Sequence, residues 1–157
     1  MKKNRQPLLF ISAWLVAGTL DILGAIFILG NGHATATFKY IAAAVTGKDA
    51  IPAATYAVLL GAVFHYLVAL CWTAAYFLLY KRTRFDKIPV IFSALLTGCI
   101  IFFSMRYIFV PLLGQLPAPK PIDSTQVNAI LKNILILTLA FGTCLKYFAA
   151  RFYKQVT

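Results

Sequence analysis

The chain has 157 residues, of which 61% are hydrophobic and 12% charged, with 15 Lys and Arg against 4 acids for a net charge of +11. All four acids are Asp, so no Glu is present to act as a catalytic base or to assist a metal. Soluble domains are about 45–50% apolar and about 25% charged; this composition excludes a disordered chain, a disulfide scaffold and a soluble nucleic-acid binder, and it points to several membrane spans.

The first apolar segment, 7–30, carries a single formal charge, Asp21. It exceeds the roughly 20 residues that cross a bilayer core of about 30 Å. Lys2, Lys3 and Arg5 precede it, and Ala34-Thr35-Ala36 resembles a cleavage site. A signal-peptide apolar region runs for only about 7–15 residues, so the segment is read as a retained span. Asn31-Gly32 breaks this helix. Beyond it, Phe38, Ile41, Ala42 and Val45 fall on one helical face and Lys39 falls off it. A short amphipathic helix is therefore expected over 37–46, on the outer surface or tucked against the bundle, with Gly47 as its C-cap. Asp49 and Pro52 suit the start of the next helix.

The second apolar segment, 53–80, has no Asp, Lys or Arg and carries His65. Its i, i+4 row of Ala57, Gly61, His65 and Ala69 suits close helix packing. A short basic connection, 81–87, leads to the third segment, 88–112, which is interrupted only by Arg106. So short a connection predicts that the second and third spans are antiparallel neighbours. The 113–123 connection has three prolines in five residues, which favours an extended loop. Asp123 and Gln126 have capping-box spacing, so the fourth helix is expected to begin near Ser124. The fourth span is read as 127–152. Lys132 and Lys146 bracket its uncharged part and reach opposite interfaces only by snorkelling.

Ten of the Lys and Arg residues lie before span one, in the 81–87 connection or at the end of span four; Lys39, Lys48 and Lys120 lie on the other side. The positive-inside bias therefore places both termini in the cytoplasm. The charge is topological and suits anionic lipid headgroups; it is no argument for binding nucleic acid.

Ionisable groups inside spans are costly, which makes each one a candidate for function. Counted from the basic anchors, Asp21 and His65 lie roughly 24 Å up and Arg106 and Lys132 roughly 28 Å up, at 1.5 Å per residue. Asp21, His65, Arg106 and Lys132 are thus the ligand or proton-pathway candidates, in one layer of the outer half. The simpler reading gives Arg106 and Lys132 to snorkelling and His65 to a local hydrogen bond. A mid-span carboxylate needs a proton or a partner, so Asp21 is expected to pair with His65 or Arg106. Cys71, Cys99 and Cys144 show no CxxC or zinc spacing and are read as buried packing residues. No phosphate-loop, dinucleotide, zincin or nucleophile-elbow motif occurs.

Gly18-Thr19-Leu20-Asp21, Gly61-Ala62-Val63-Phe64-His65-Tyr66 and Met105-Arg106-Tyr107-Ile108-Phe109-Val110-Pro111-Leu112 resemble segments of a group of small four-span bacterial inner-membrane proteins of the YagU-like kind. Arg106 stands where that group is expected to carry a neutral amide. The resemblance implies the four-span architecture and an inner-membrane location. It implies no activity and no catalytic residue.

The expected molecule is an all-α integral membrane four-helix bundle with a short outer amphipathic helix between spans one and two. The first functional reading is a non-enzymatic structural or accessory protein without cofactor or metal. Its expected partners are membrane lipids and, if it assembles, a second copy or another membrane protein. The alternative is a small transporter or channel component that moves protons or a small anion past Asp21, His65 and Arg106.

Overall fold

The computed structural model describes residues 5–47, 54–113 and 122–154. Every regular element among them is helical. Four helices are long and apolar enough to cross a membrane: Gln6–Leu29, Thr55–Tyr80, Val90–Leu113 and Ser124–Lys154. They fall within about a turn of the expected bounds. A connecting helix, Ala34–Thr46, lies between the first two.

Local chemistry sets the helix ends. Asn31 and Gly32 both take positive φ, 48° and 85°, and end the first long helix. Gly47, at φ 83°, donates its N–H to the Ala43 carbonyl and closes the connecting helix. At the fourth helix, Asp123 Oδ1 accepts the N–H groups of Thr125 at 2.9 Å and Gln126 at 3.0 Å, as the capping-box spacing predicts. The roles expected of Asp49 and Pro52 lie outside the described residues, as do most of the proline-rich connection and Lys2, Lys3, Lys48 and Lys120.

Small residues decide which helices meet. Gly18 on the first long helix leaves room for Ala69 and the Tyr66 ring on the second. Gly24 on the first admits Ile136 of the fourth, where a Cβ would come within 2.6 Å of its Cγ2. The third and fourth helices meet through Gly98 against Thr138 and Gly142 against the Ala94 backbone. This is the small-xxx-small logic of membrane helix contacts.

The resulting order corrects one expectation. The first helix packs between the second and fourth, and the third packs on the fourth. The second and third are not packed neighbours along their length, despite the short connection. They meet through side chains: Tyr76 and Ser93 share a hydrogen bond at 3.3 Å, and Trp72 meets Phe109 edge-on at 5.8 Å. The connection does not force them together because it folds under the bundle. Its Phe85 ring stacks on Tyr76, and the buried Lys146 ammonium donates to the carbonyls of Phe85 and Ile88. Lys146 therefore staples the connection in place and does not snorkel as expected.

The buried core lies toward this basic end, around Ala13, Ala17, Tyr76, Phe77, Tyr80 and Leu145. Toward the other end the connecting helix packs on the second long helix, with the Phe38 backbone against Gly61. It is tucked against the bundle and buries Ala42 and Ala43. Single π turns interrupt three of the long helices, at Ala25–Leu29, Met105–Phe109 and Thr138–Gly142. Each inserts one extra residue into the helical repeat and re-phases the rest of its helix.

Candidate functional site

The second and third helices are held apart, and a cleft of about 750 Å³ opens beside them. All four long helices and the connecting helix line it. Its walls are mainly apolar, among them Val68, Trp72, Phe102 and Met105, with polar groups at Asp21, His65, Arg106 and Asn133. Ligand pockets share this character: apolar walls with a few placed polar groups, and a volume of about 300–1,000 Å³. All three π turns contribute to the lining, through Ala25 and Leu29, Met105 and Arg106, and Phe141.

Asp21, His65 and Arg106 therefore border one space, but they do not pair directly as expected. His65 Nε2 lies 2.8 Å from the Gly18 carbonyl oxygen and takes its hydrogen bond there. The reason is local. Gly18 has no Cβ, so the second helix comes close enough for the ring to reach backbone. Two more bonds complete this clasp. Trp14 Nε1 donates to the Tyr66 carbonyl at 2.8 Å, and Thr19 Oγ1 bonds Tyr66 Oη at 2.8 Å. Arg106 is drawn the other way. Its guanidinium donates to Gln126 Oε1 at 2.9 Å and also lies 5.6 Å from the Tyr107 ring centre. The half-buried Asp21 side chain lines the cleft and makes no ion pair or hydrogen bond among the described residues.

Lys132 is exposed and lies outside the lining. A depth count fixes position along a helix but leaves direction open. Successive helical residues turn by about 100°, and the lining position is Asn133. Asn133 in the lining, and Tyr66 and Gln126 as partners of groups around it, are thus residues that depth counting missed. Gln126 had a readable signal, since a neutral amide in the first turn of the fourth helix is within reach of Arg106. Cys71 is exposed and Cys99 and Cys144 are half-buried, so the cysteines are not the buried packing residues expected. Among the described residues no three of His, Cys, Asp and Glu converge on a metal site.

No family model, curated protein or solved structure matches this chain.

Proposed function

We propose that this is a non-enzymatic multi-pass protein of a bacterial inner membrane, with its basic end in the cytoplasm, that binds and passes a small amphiphilic anion through the cleft. The single observation that carries this reading is that Asp21, His65 and Arg106 border one cleft with mainly apolar walls. A structural lock calls for a sealed contact between the charged groups. A conducting or binding site calls for a shared space. Arg106 supplies positive charge for the anionic end of a ligand, and Val68, Trp72, Phe102 and Met105 receive its apolar part. Asp21 is the group suited to carry a proton, because intramembrane carboxyls serve in proton relays.

Trp72 gives a direct test. It lines the cleft, whereas Trp14 is engaged with Tyr66 outside it. In a Trp14→Phe protein, decanesulfonate should change Trp72 fluorescence saturably, and Arg106→Gln should weaken that response. An unsaturable response, or one unchanged by Arg106→Gln, contradicts the proposal.

A second reading rests on the clasp of His65, Trp14, Thr19 and Tyr66 between the first two helices. Three cross-helix hydrogen bonds on one contact suit a structural or accessory protein in which His65 only fastens helices. A decanesulfonate response that fails the test above favours this reading.

A further inference from the structure

A second cavity, of about 330 Å³, lies at the basic end between the start of the third helix and the last turns of the fourth. Val90, Lys146, Tyr147, Arg151 and Lys154 are among its lining. We propose that this groove is a binding site for the phosphodiester headgroup of an anionic phospholipid.

Three cations line one small space, and no acid is part of the lining. Two of the three are held in position. Lys146 is 6% exposed and fixed by the carbonyls of Phe85 and Ile88, with the Tyr80 ring centre 5.3 Å from its Nζ. The Arg151 guanidinium sits over the Tyr147 ring, 4.4 Å from its centre. A stacked guanidinium keeps its N–H fork for bidentate contact with phosphate oxygens. Pre-positioning also lowers the ordering cost that a mobile cation pays on binding. The third helix adds an oriented backbone. It starts at Val90, whose position lines the groove, and the N–H groups of its first turn carry positive partial charge.

The surroundings indicate a lipid headgroup and not a free phosphate. Val90 and Tyr147 are exposed, largely apolar side chains of the groove lining. They give acyl chains a surface to follow while the phosphodiester sits among Lys146, Arg151 and Lys154. Basic pockets between membrane helices bind such headgroups.

The test uses the full chain in nanodiscs of phosphatidylcholine with or without phosphatidylglycerol, followed by native mass spectrometry of retained lipid. Phosphatidylglycerol should be retained over phosphatidylcholine. The double variant Arg151→Gln/Lys154→Gln should lower that retention roughly tenfold or more, as expected for two lost cation contacts. Arg82→Gln/Arg84→Gln removes the same charge from the exposed connection and should leave retention within about twofold. Glycerol phosphate should compete poorly. Equal losses in the two double variants would show general surface attraction and overturn the proposal. So would retention no better than that of phosphatidylcholine, or displacement by glycerol phosphate at concentrations matching the lipid. Helical content by circular dichroism must stay unchanged in the groove variant. If it falls, Arg151→Lys with Lys154→Gln, which removes only one of the groove's three charges, replaces it and should lower retention roughly fivefold, against a change within about twofold for Arg82→Gln alone; equal losses in these two would likewise overturn the proposal.

Discussion

At the scale of single residues, glycines and one histidine carry the packing. A Cβ on Gly142 would come within 2.5 Å of Ala94 Cα, whereas one on Gly18 would meet Ala69 and Tyr66 at 3.3 Å. Backbone cannot yield as an aromatic ring can. Gly142→Ala should therefore destabilise by about 1–3 kcal/mol, the usual cost of overpacking, and Gly18→Ala by less. Unfolding in mixed micelles checks this, and the reverse order would contradict the packing described. His65→Leu removes the bond to the Gly18 carbonyl and should cost about 0.5–1.5 kcal/mol, the net worth of one hydrogen bond. A loss several times larger would mean that His65 has a role in folding beyond the clasp. The sequence marked Ala57, Gly61, His65 and Ala69 as a packing row, because small residues at i, i+4 spacing are visible in a string of letters. It did not show Gly61 facing Phe38 of the connecting helix, since spacing identifies a face and not its partner.

At the scale of elements, the helix boundaries were legible because their signals are local. Apolar runs, Asn31-Gly32, Gly47 and Asp123 each act within a few residues of themselves. The Asp123 cap makes a pH prediction. Hydrogen bonds from the Thr125 side chain and from the Thr125 and Gln126 backbone hold the Asp123 carboxyl below its ordinary range. A depressed carboxylate contributes stability above its unfolded pKa of about 3.9 and loses that contribution as pH falls through the lower folded value. The first turn of the fourth helix should therefore hold at neutral pH and loosen as pH falls below about 4. Asp123→Asn should keep the cap and abolish this pH dependence. Amide shifts of Thr125 and Gln126 followed by NMR across pH 2–6 check both, and an identical titration in Asp123→Asn would contradict the assignment. The three π turns, by contrast, left no readable trace. They arise where helices must re-phase around the cleft, and that demand comes from tertiary packing. Lys132 illustrates the same limit: axial position is counted from sequence, but a one-residue change in phase exchanges Lys132 for Asn133.

At the scale of the whole molecule, a short connection did not dictate neighbours. Lys146 pins the 81–87 connection under the bundle, the glycine contacts draw the third helix onto the fourth, and the space left beside the second becomes the cleft. The proposed orientation is open to test through the connecting helix. In a background without Cys71, Cys99 and Cys144, Thr35→Cys should react with an impermeant maleimide from outside intact cells. Reaction only after the cytoplasmic face is opened would reverse the topology. The central claim is that Asp21, His65 and Arg106 share a water-reached cleft, and adjacent cysteines on the second helix test it most directly. Val68 lines the cleft, whereas Leu67 is 52% exposed and lies outside the lining. With each position changed to Cys in reconstituted vesicles, the small anionic reagent 2-sulfonatoethyl methanethiosulfonate should modify Val68→Cys readily, and decanesulfonate should slow that reaction. Leu67→Cys, facing lipid, should stay unmodified. A Val68→Cys protein as inert as Leu67→Cys would show the cleft to be closed to water and would contradict the account.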